Sequence, residues 1–179
     1  MGEPAPAGGP TQDEVMAVSL FKMGLRHSDL VLDCGCGTGK VAIAASKVSK
    51  TVYAVDRRSE AIRYARHEAN AAGVANIEFF CGEAREFLAG DRTFDCAFVG
   101  GSKEIDELLP VLAQRVRRTI VVNAVMVSTL SRVVEIMQRL GIFREAVQVQ
   151  VSRSHPIASS IMFRPIDPVY IVVGSGTAC

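Results

Sequence analysis

Short apolar runs rich in Val and Ile recur along the chain at residues 30–33, 51–55, 76–80, 94–99 and 119–123, each too short for a helix and bounded by turn-forming residues. Between them lie stretches of helical character at 40–48, 60–72, 84–88, 104–112 and 125–140, the last followed by Gly141 in the place of a helix-terminating glycine. A strand that is apolar at every position must be covered on both faces, and strand, helix and strand in succession form the parallel crossover unit. The alternation therefore predicts an α/β fold: a doubly wound, mostly parallel sheet with helices on both faces. An earlier helix is expected over 15–25, where Thr11-Gln12-Asp13-Glu14 has the Thr-x-x-Glu form of a capping box. Beyond Gly141 the pattern changes to two long strand-like segments, 143–152 and 160–173, separated by the turn-prone Arg153-Ser154-His155-Pro156. These read as a terminal antiparallel pair. Residues 1–10, rich in Gly and Pro, read as a flexible tail, and 11–179 as a single domain.

The size of the chain, 179 residues with 49% apolar and 22% charged, allows one core without disulfides or structural metal. No apolar run approaches the roughly 18 residues of a membrane span. The opening Met1-Gly2-Glu3-Pro4-Ala5-Pro6 has neither the basic nor the apolar region of a secretory signal, so a cytoplasmic protein without membrane partners is expected. A net charge of +1 supplies no global field for a polyanion, which disfavours nucleic acid. Five cysteines (Cys34, Cys36, Cys81, Cys96, Cys179) without Cys-x-x-Cys spacing suggest neither a disulfide framework nor a metal site; most sit in apolar runs as small hydrophobes.

The sharpest local signal is Asp33-Cys34-Gly35-Cys36-Gly37-Thr38-Gly39, an acidic strand end followed by three glycines at alternate positions. Glycines allow a tight turn with positive φ and let a ligand lie against the main chain. A phosphate-binding Walker loop would need a glycine at Cys34 and Ser or Thr at Val41, and the dinucleotide fingerprint would need a glycine at Lys40. Both fail. The alternate-glycine form resembles the first motif of Rossmann-like, class I S-adenosylmethionine-dependent methyltransferases, whose ligand has no pyrophosphate. Asp56 ends the second strand about twenty residues on, where such folds grip ribose hydroxyls; capping of the next helix is the lesser alternative. Glu83 and Ala84, after the third strand, are the candidates for the adenine edge. All share the carboxyl end of the sheet, where ligands bind in such folds.

After the fourth strand stands Phe98-Val99-Gly100-Gly101-Ser102 in place of the Asn/Asp-Pro-Pro-Tyr/Phe motif of base N-methyltransferases. This motif, with Gly9-Pro10-Thr11, Glu14-Val15, Val121-Val122-Asn123-Ala124-Val125 and Met162-Phe163-Arg164-Pro165, resembles the small decarboxylating methyltransferases of corrin-ring synthesis. Those enzymes act on carbon 15 of cobalt-precorrin-6B in the cobalamin pathway, with loss of the ring acetate carboxyl at carbon 12. The resemblance spans nearly the whole chain. It implies S-adenosylmethionine as cofactor, a pocket of Thr11, Gly35, Cys36, Gly37, Thr38, Gly39, Asp56 and Ala84, and a homotetramer; Asp33 and Glu83 join the pocket as strand-end carboxylates, and a separate carbon-5 methyltransferase on the same pathway is left open. Gln12 and Glu83 depart from the family, which often has Lys and Asp there.

Carbon alkylation of an electron-rich meso carbon needs positioning and a suitable field rather than a nucleophilic side chain, so no catalytic residue is assigned. A corrinoid carries several carboxylates, which makes Lys103, Arg153 and Arg164 candidates to meet it. Gly101, Ser102 and Asn123, after strands four and five, are expected near the methyl acceptor, while His155 reads as exposed. Methylation of RNA or another metabolite, nicotinamide-dependent oxidoreduction and non-catalytic cofactor binding are the rival readings; Lys40 counts against the second.

Overall fold

The computed structural model describes residue 6, residues 9–101 and residues 103–178. The parallel strands fall where the apolar runs place them: β1 (Leu30–Cys34), β2 (Thr51–Asp56), β3 (Ile77–Cys81), β4 (Phe94–Val99) and β5 (Val116–Ala124). The helices are α1 (Asp13–Met23), α2 (Lys40–Ser46), α3 (Ser59–Ala71), α4 (Ala84–Phe87), α5 (Ile105–Arg115) and α6 (Val127–Arg139). Four further strands follow: β6 (Phe143–Val149), β7 (Ser152–Ile157), β8 (Ser160–Pro165) and β9 (Val169–Ser175). The main sheet runs β3-β2-β1-β4-β5-β9-β6, and β7 and β8 form a separate two-stranded sheet.

Side-chain alternation along each strand divides the interior into two layers. Leu32, Tyr53, Val55, Ala97, Val99, Ile120 and Val122 face a core shared with α5 and α6. Val31, Val52, Ala54, Cys96, Phe98 and Val121 face the core beneath α1, α2 and α3. By the same period, Asp33, Asp56 and Asn123 belong to the α1–α3 side, at the strand ends.

The structure corrects the capping box and the terminal pair. Gln12, in extended backbone, precedes the first turn of α1 without a side-chain cap, and Gly24 at φ 59° ends the helix before the expected Leu25. Thr11 does not cap because Lys40 Nζ binds its carbonyl oxygen at 2.7 Å and Asp13 at 2.7 Å, drawing this segment toward the glycine loop. The segment expected as one strand over 160–173 is broken at Ile166-Asp167-Pro168, where proline has no N–H for a ladder. Its second half, β9, inserts antiparallel between β5 and β6. Arg153-Ser154-His155-Pro156 is not a turn but part of β7; the reversal falls at Ala158, which takes φ 49°.

Of the tail expected over 1–10, residues 1–5, 7 and 8 lie outside the described residues, as do Ser102 and Cys179. Pro6 is buried, while Gly9 and Pro10 line cavities beside Thr11. Among the described residues no helix is long and apolar enough to cross a membrane, and no cluster of His, Cys, Asp and Glu could hold a metal ion.

Candidate functional site

The loop after β1 is stitched to both neighbouring strands. Gly35 and Cys36 donate their N–H groups to the Val55 carbonyl at 2.8 and 3.0 Å, and Gly100 donates to the Cys34 carbonyl at 2.9 Å. Gly35, Gly37 and Gly39 have φ of 73°, 54° and 77°, the left-handed region that an L side chain enters at a cost. The last packs against α3. A Cβ at Gly39 would lie 2.8 Å from Ala65 Cβ, so this glycine lets α2 and α3 close on each other. Gly39→Ala is expected to lower stability by about 2 kcal/mol, combining positive φ with overpacking. Chemical denaturation measures it, and an unchanged midpoint would mean that the helices separate freely.

Two carboxylates flank the loop in opposite states. Asp33 is buried, and neither of its oxygens has a hydrogen-bond partner. Burial pushes its carboxyl up to about 7, offset in part by the Ala42 N–H and reinforced by repulsion from Asp56. Asp56 is also buried but well partnered. Burial alone would raise its carboxyl, yet the Arg58 guanidinium, the Arg58 N–H and the Gly37 N–H together hold it below the ordinary carboxylate range.

Three cavities open in sequence along the carboxyl ends of the strands. The first, about 260 Å³, is lined by Gly35, Asp56, Arg58, Glu83, Ala84, Gly101 and Lys103 among others. The second, about 120 Å³, gathers Thr11, Asp33, Gly35, Cys36, Gly37 and Thr38. The third, about 560 Å³, lies over Thr11, Gln12, Asn123, Val125 and Asp167. Gly100 lines all three, so they adjoin along one edge of the sheet. The residues expected to hold a cofactor thus come together, except that Gly39 lines none of these cavities. Among the substrate-side candidates, Asn123 reaches the largest cavity, but Gly101 and Lys103 line the first, beside Asp56 and Glu83. Lys103 is exposed at the first cavity and lines neither of the other two.

Asn123 is set by its partner on α1. The buried Ser19 hydroxyl lies 3.1 Å from Asn123 Oδ1 and 2.9 Å from the Val15 carbonyl, and its single proton serves one of these at a time. With Oδ1 turned to Ser19, the amide nitrogen is left for the cavity. Arg153 and Arg164 stand opposite each other on β7 and β8. Arg153 is held by Glu14 at 2.6 Å, and neither arginine lines these cavities. His155 is exposed, as expected, but on strand β7 of the same hairpin rather than in a loop.

Sequence reasoning missed Arg58 and Ser19. An arginine two residues after a strand-end carboxylate was a visible signal for the first; the second contact joins residues far apart in the chain and left none.

The chemistry of these groups is compatible with a nucleoside-bearing sulfonium. An acceptor pair at the end of β2 suits vicinal ribose hydroxyls, and an orphaned buried carboxylate beside glycine backbone suits a cationic amino group. This sheet order with this glycine loop is that of class I S-adenosylmethionine-dependent methyltransferases. The family model of the precorrin methyltransferase domain matches residues 6–174. The chain is 47% identical over 177 residues to the probable cobalt-precorrin-6B C(15)-methyltransferase (decarboxylating) of Methanosarcina acetivorans, covering 96% of each. It is 46% identical over 173 residues to the protein of the same name from Methanosarcina mazei, covering 94% of each. Among solved structures, precorrin-8W decarboxylase from Methanobacterium thermoautotrophicum superposes with a TM-score of 0.90 at 27% identity, covering 97% of this chain and 95% of that one. The chain belongs to the precorrin methyltransferase family, and S-adenosylmethionine is its methyl donor.

Proposed function

We propose that this protein methylates carbon 15 of cobalt-precorrin-6B and releases the ring acetate carboxyl at carbon 12 as carbon dioxide, in cobalamin biosynthesis. The observation that carries the reading is the row of adjoining cavities at the carboxyl ends of the strands. The cavity lined by Asp56 and the one lined by Asp33 adjoin, and both meet at Gly100 the larger cavity over Asn123. The substrate assignment draws on the near full-length identity to the Methanosarcina proteins.

When bound, S-adenosylmethionine supplies an electrophilic methyl on sulfur. The chain's own part is to bind and orient. Asp33, Thr11 and the backbone of residues 35–38 receive the amino-acid end, Asp56 accepts from the ribose hydroxyls, and Glu83 and Ala84 flank the base. Asn123, backed by Ser19, offers an amide N–H to a carboxylate of the macrocycle. Incubation with cobalt-precorrin-6B and methyl-labelled S-adenosylmethionine tests the proposal. Gain of one labelled methyl with loss of one carbon dioxide is expected; absence of transfer in a protein that binds the cofactor would refute the substrate.

Asn123→Ala is expected to uncouple the two events. With the carboxylate no longer oriented, part of the product should carry the new methyl and keep the carboxyl, as mass spectrometry will read. An unchanged product ratio would remove Asn123 from this role.

The protein is further proposed to act in the cytoplasm as a homotetramer, beside a separate carbon-5 methyltransferase. The β7–β8 hairpin supports assembly, because it exposes Ile157, Ile161, Met162 and Phe163, and such patches on a folded chain mark contact surfaces. Ile161 and Phe163 share one face of β8. Replacing both with Glu is expected to lower the light-scattering mass to that of a smaller species with unchanged circular dichroism. An unaltered tetramer would place the contact elsewhere, and a monomeric parent protein would refute the assembly.

A further inference from the structure

Asp56 has no acceptor position to spare. An ionised carboxylate offers about four lone-pair sites, and four N–H groups take them. Arg58 N and Arg58 Nε each lie 3.0 Å from Oδ1. Gly37 N lies 2.9 Å and Arg58 Nη2 3.0 Å from Oδ2. Two of these donors are backbone groups fixed by the glycine loop and by the turn after β2. The other two belong to a side chain that is 32% exposed, on a carboxylate that is 4% exposed. Arg58 lines both the first and the second cavity, so it stands where the two adjoin. Its Nη2 lies 3.8 Å from the position a Cβ would take on Gly37, directly over the loop.

We infer that the Arg58 guanidinium occupies the ribose positions on Asp56 and has to leave them before the cofactor binds, which makes Arg58 an internal competitor that weakens the binding of S-adenosylmethionine and S-adenosylhomocysteine alike. The inference rests on the reading of Asp56 as the ribose acceptor. Two vicinal hydroxyls bring two hydrogens to a carboxylate whose sites are filled. The backbone donors cannot withdraw without unfolding the loop, so the exchange falls on the guanidinium. The arginine pair is fully charged and bidentate, whereas the incoming hydroxyls are neutral donors, so this exchange by itself opposes binding. The demethylated product keeps the same ribose. A competitor at the ribose therefore hastens its departure, with Arg58 returning to Asp56 as the nucleoside leaves.

Calorimetry with S-adenosylhomocysteine and with S-adenosylmethionine tests this on Arg58→Met, which keeps the aliphatic stem. Both ligands should bind about three- to tenfold tighter, the range of one exposed but bidentate ion pair, and S-adenosylhomocysteine should dissociate more slowly. Arg58→Lys, which holds the charge without the fork, should give a smaller gain and serves if the methionine variant fails to fold. In an Asp56→Ala background the substitution at 58 should change nothing. Weaker or unchanged binding in Arg58→Met would overturn the inference. So would tightening confined to cationic S-adenosylmethionine, which reports only removal of a like charge, or tightening that persists without Asp56. If Asp56→Ala alone leaves S-adenosylhomocysteine binding intact, it is the ribose reading that fails.

Discussion

Asp33→Asn is expected to make the ligand-free protein more stable than its parent above pH 7 and nearly equal to it near pH 4. The parent carboxyl is buried without a hydrogen-bond partner and titrates at about 7 in the folded chain, against 3.8 ordinarily. The folded state thus holds a proton that the unfolded chain releases. Stability from this group is fully present below the unfolded value and is lost as pH rises through about 7. The loss is on the order of 2 to 4 kcal/mol, since each tenfold change in proton affinity corresponds to about 1.4 kcal/mol and relaxation lowers the ideal sum. Asparagine also leaves a polar group short of partners, but equally at every pH, so the pH-dependent gap is the signature. Denaturant unfolding of both proteins from pH 4 to pH 8 measures it; parallel curves would show that Asp33 ionises normally.

Cofactor binding should respond in the opposite sense. A cationic amino group entering beside Asp33 stabilises the ionised carboxylate, so the parent's affinity for S-adenosylhomocysteine should climb as pH passes 7. Asp33→Asn should bind weakly and with a flat profile. One substitution would then improve the empty protein and impair the loaded one, which distinguishes a functional carboxylate from a misplaced structural one.

Much of this arrangement was legible because burial and local pattern agree in a parallel sheet. Strands such as Val31-Leu32 and Val121-Val122 must be apolar on both sides, and the turn after β1 needs glycines wherever φ is positive. The alternation also put Asp33, Asp56 and Asn123 at one edge. What escaped depends on distant partners. The Thr11 capping pattern is locally sound, but Lys40 competes for that segment from α2. Strand β7 is exposed along its length and carries Ser152-Arg153-Ser154-His155-Pro156 without a one-sided hydrophobic period, so Arg153-Ser154-His155-Pro156 read as a turn. The insertion of β9 between β5 and β6 is a choice of neighbour that periodicity does not encode. Lys103 was assigned by charge alone, without the turn that carries it to the first cavity.

Asp56→Ala is expected to weaken S-adenosylhomocysteine binding by about 30- to 100-fold, or about 2 to 3 kcal/mol, once two hydrogen bonds to a buried charged acceptor are set against the guanidinium they replace. The loop should persist, because Gly35, Cys36 and Gly100 keep their bonds to the Val55 and Cys34 carbonyls. Asp56→Asn should lose a comparable amount while keeping the shape: its amide presents N–H groups to donors from Gly37 and Arg58, leaving one oxygen for four claims. A ligand lacking both ribose hydroxyls separates binding from collapse of the site. Removing the hydroxyls should cost the parent protein nearly what removing the carboxylate costs, and should cost Asp56→Ala almost nothing, so that the two changes are strongly non-additive in a thermodynamic cycle. Additive losses would mean that Asp56 acts by holding Gly37 in place, and that the ribose is gripped elsewhere along this edge of the sheet.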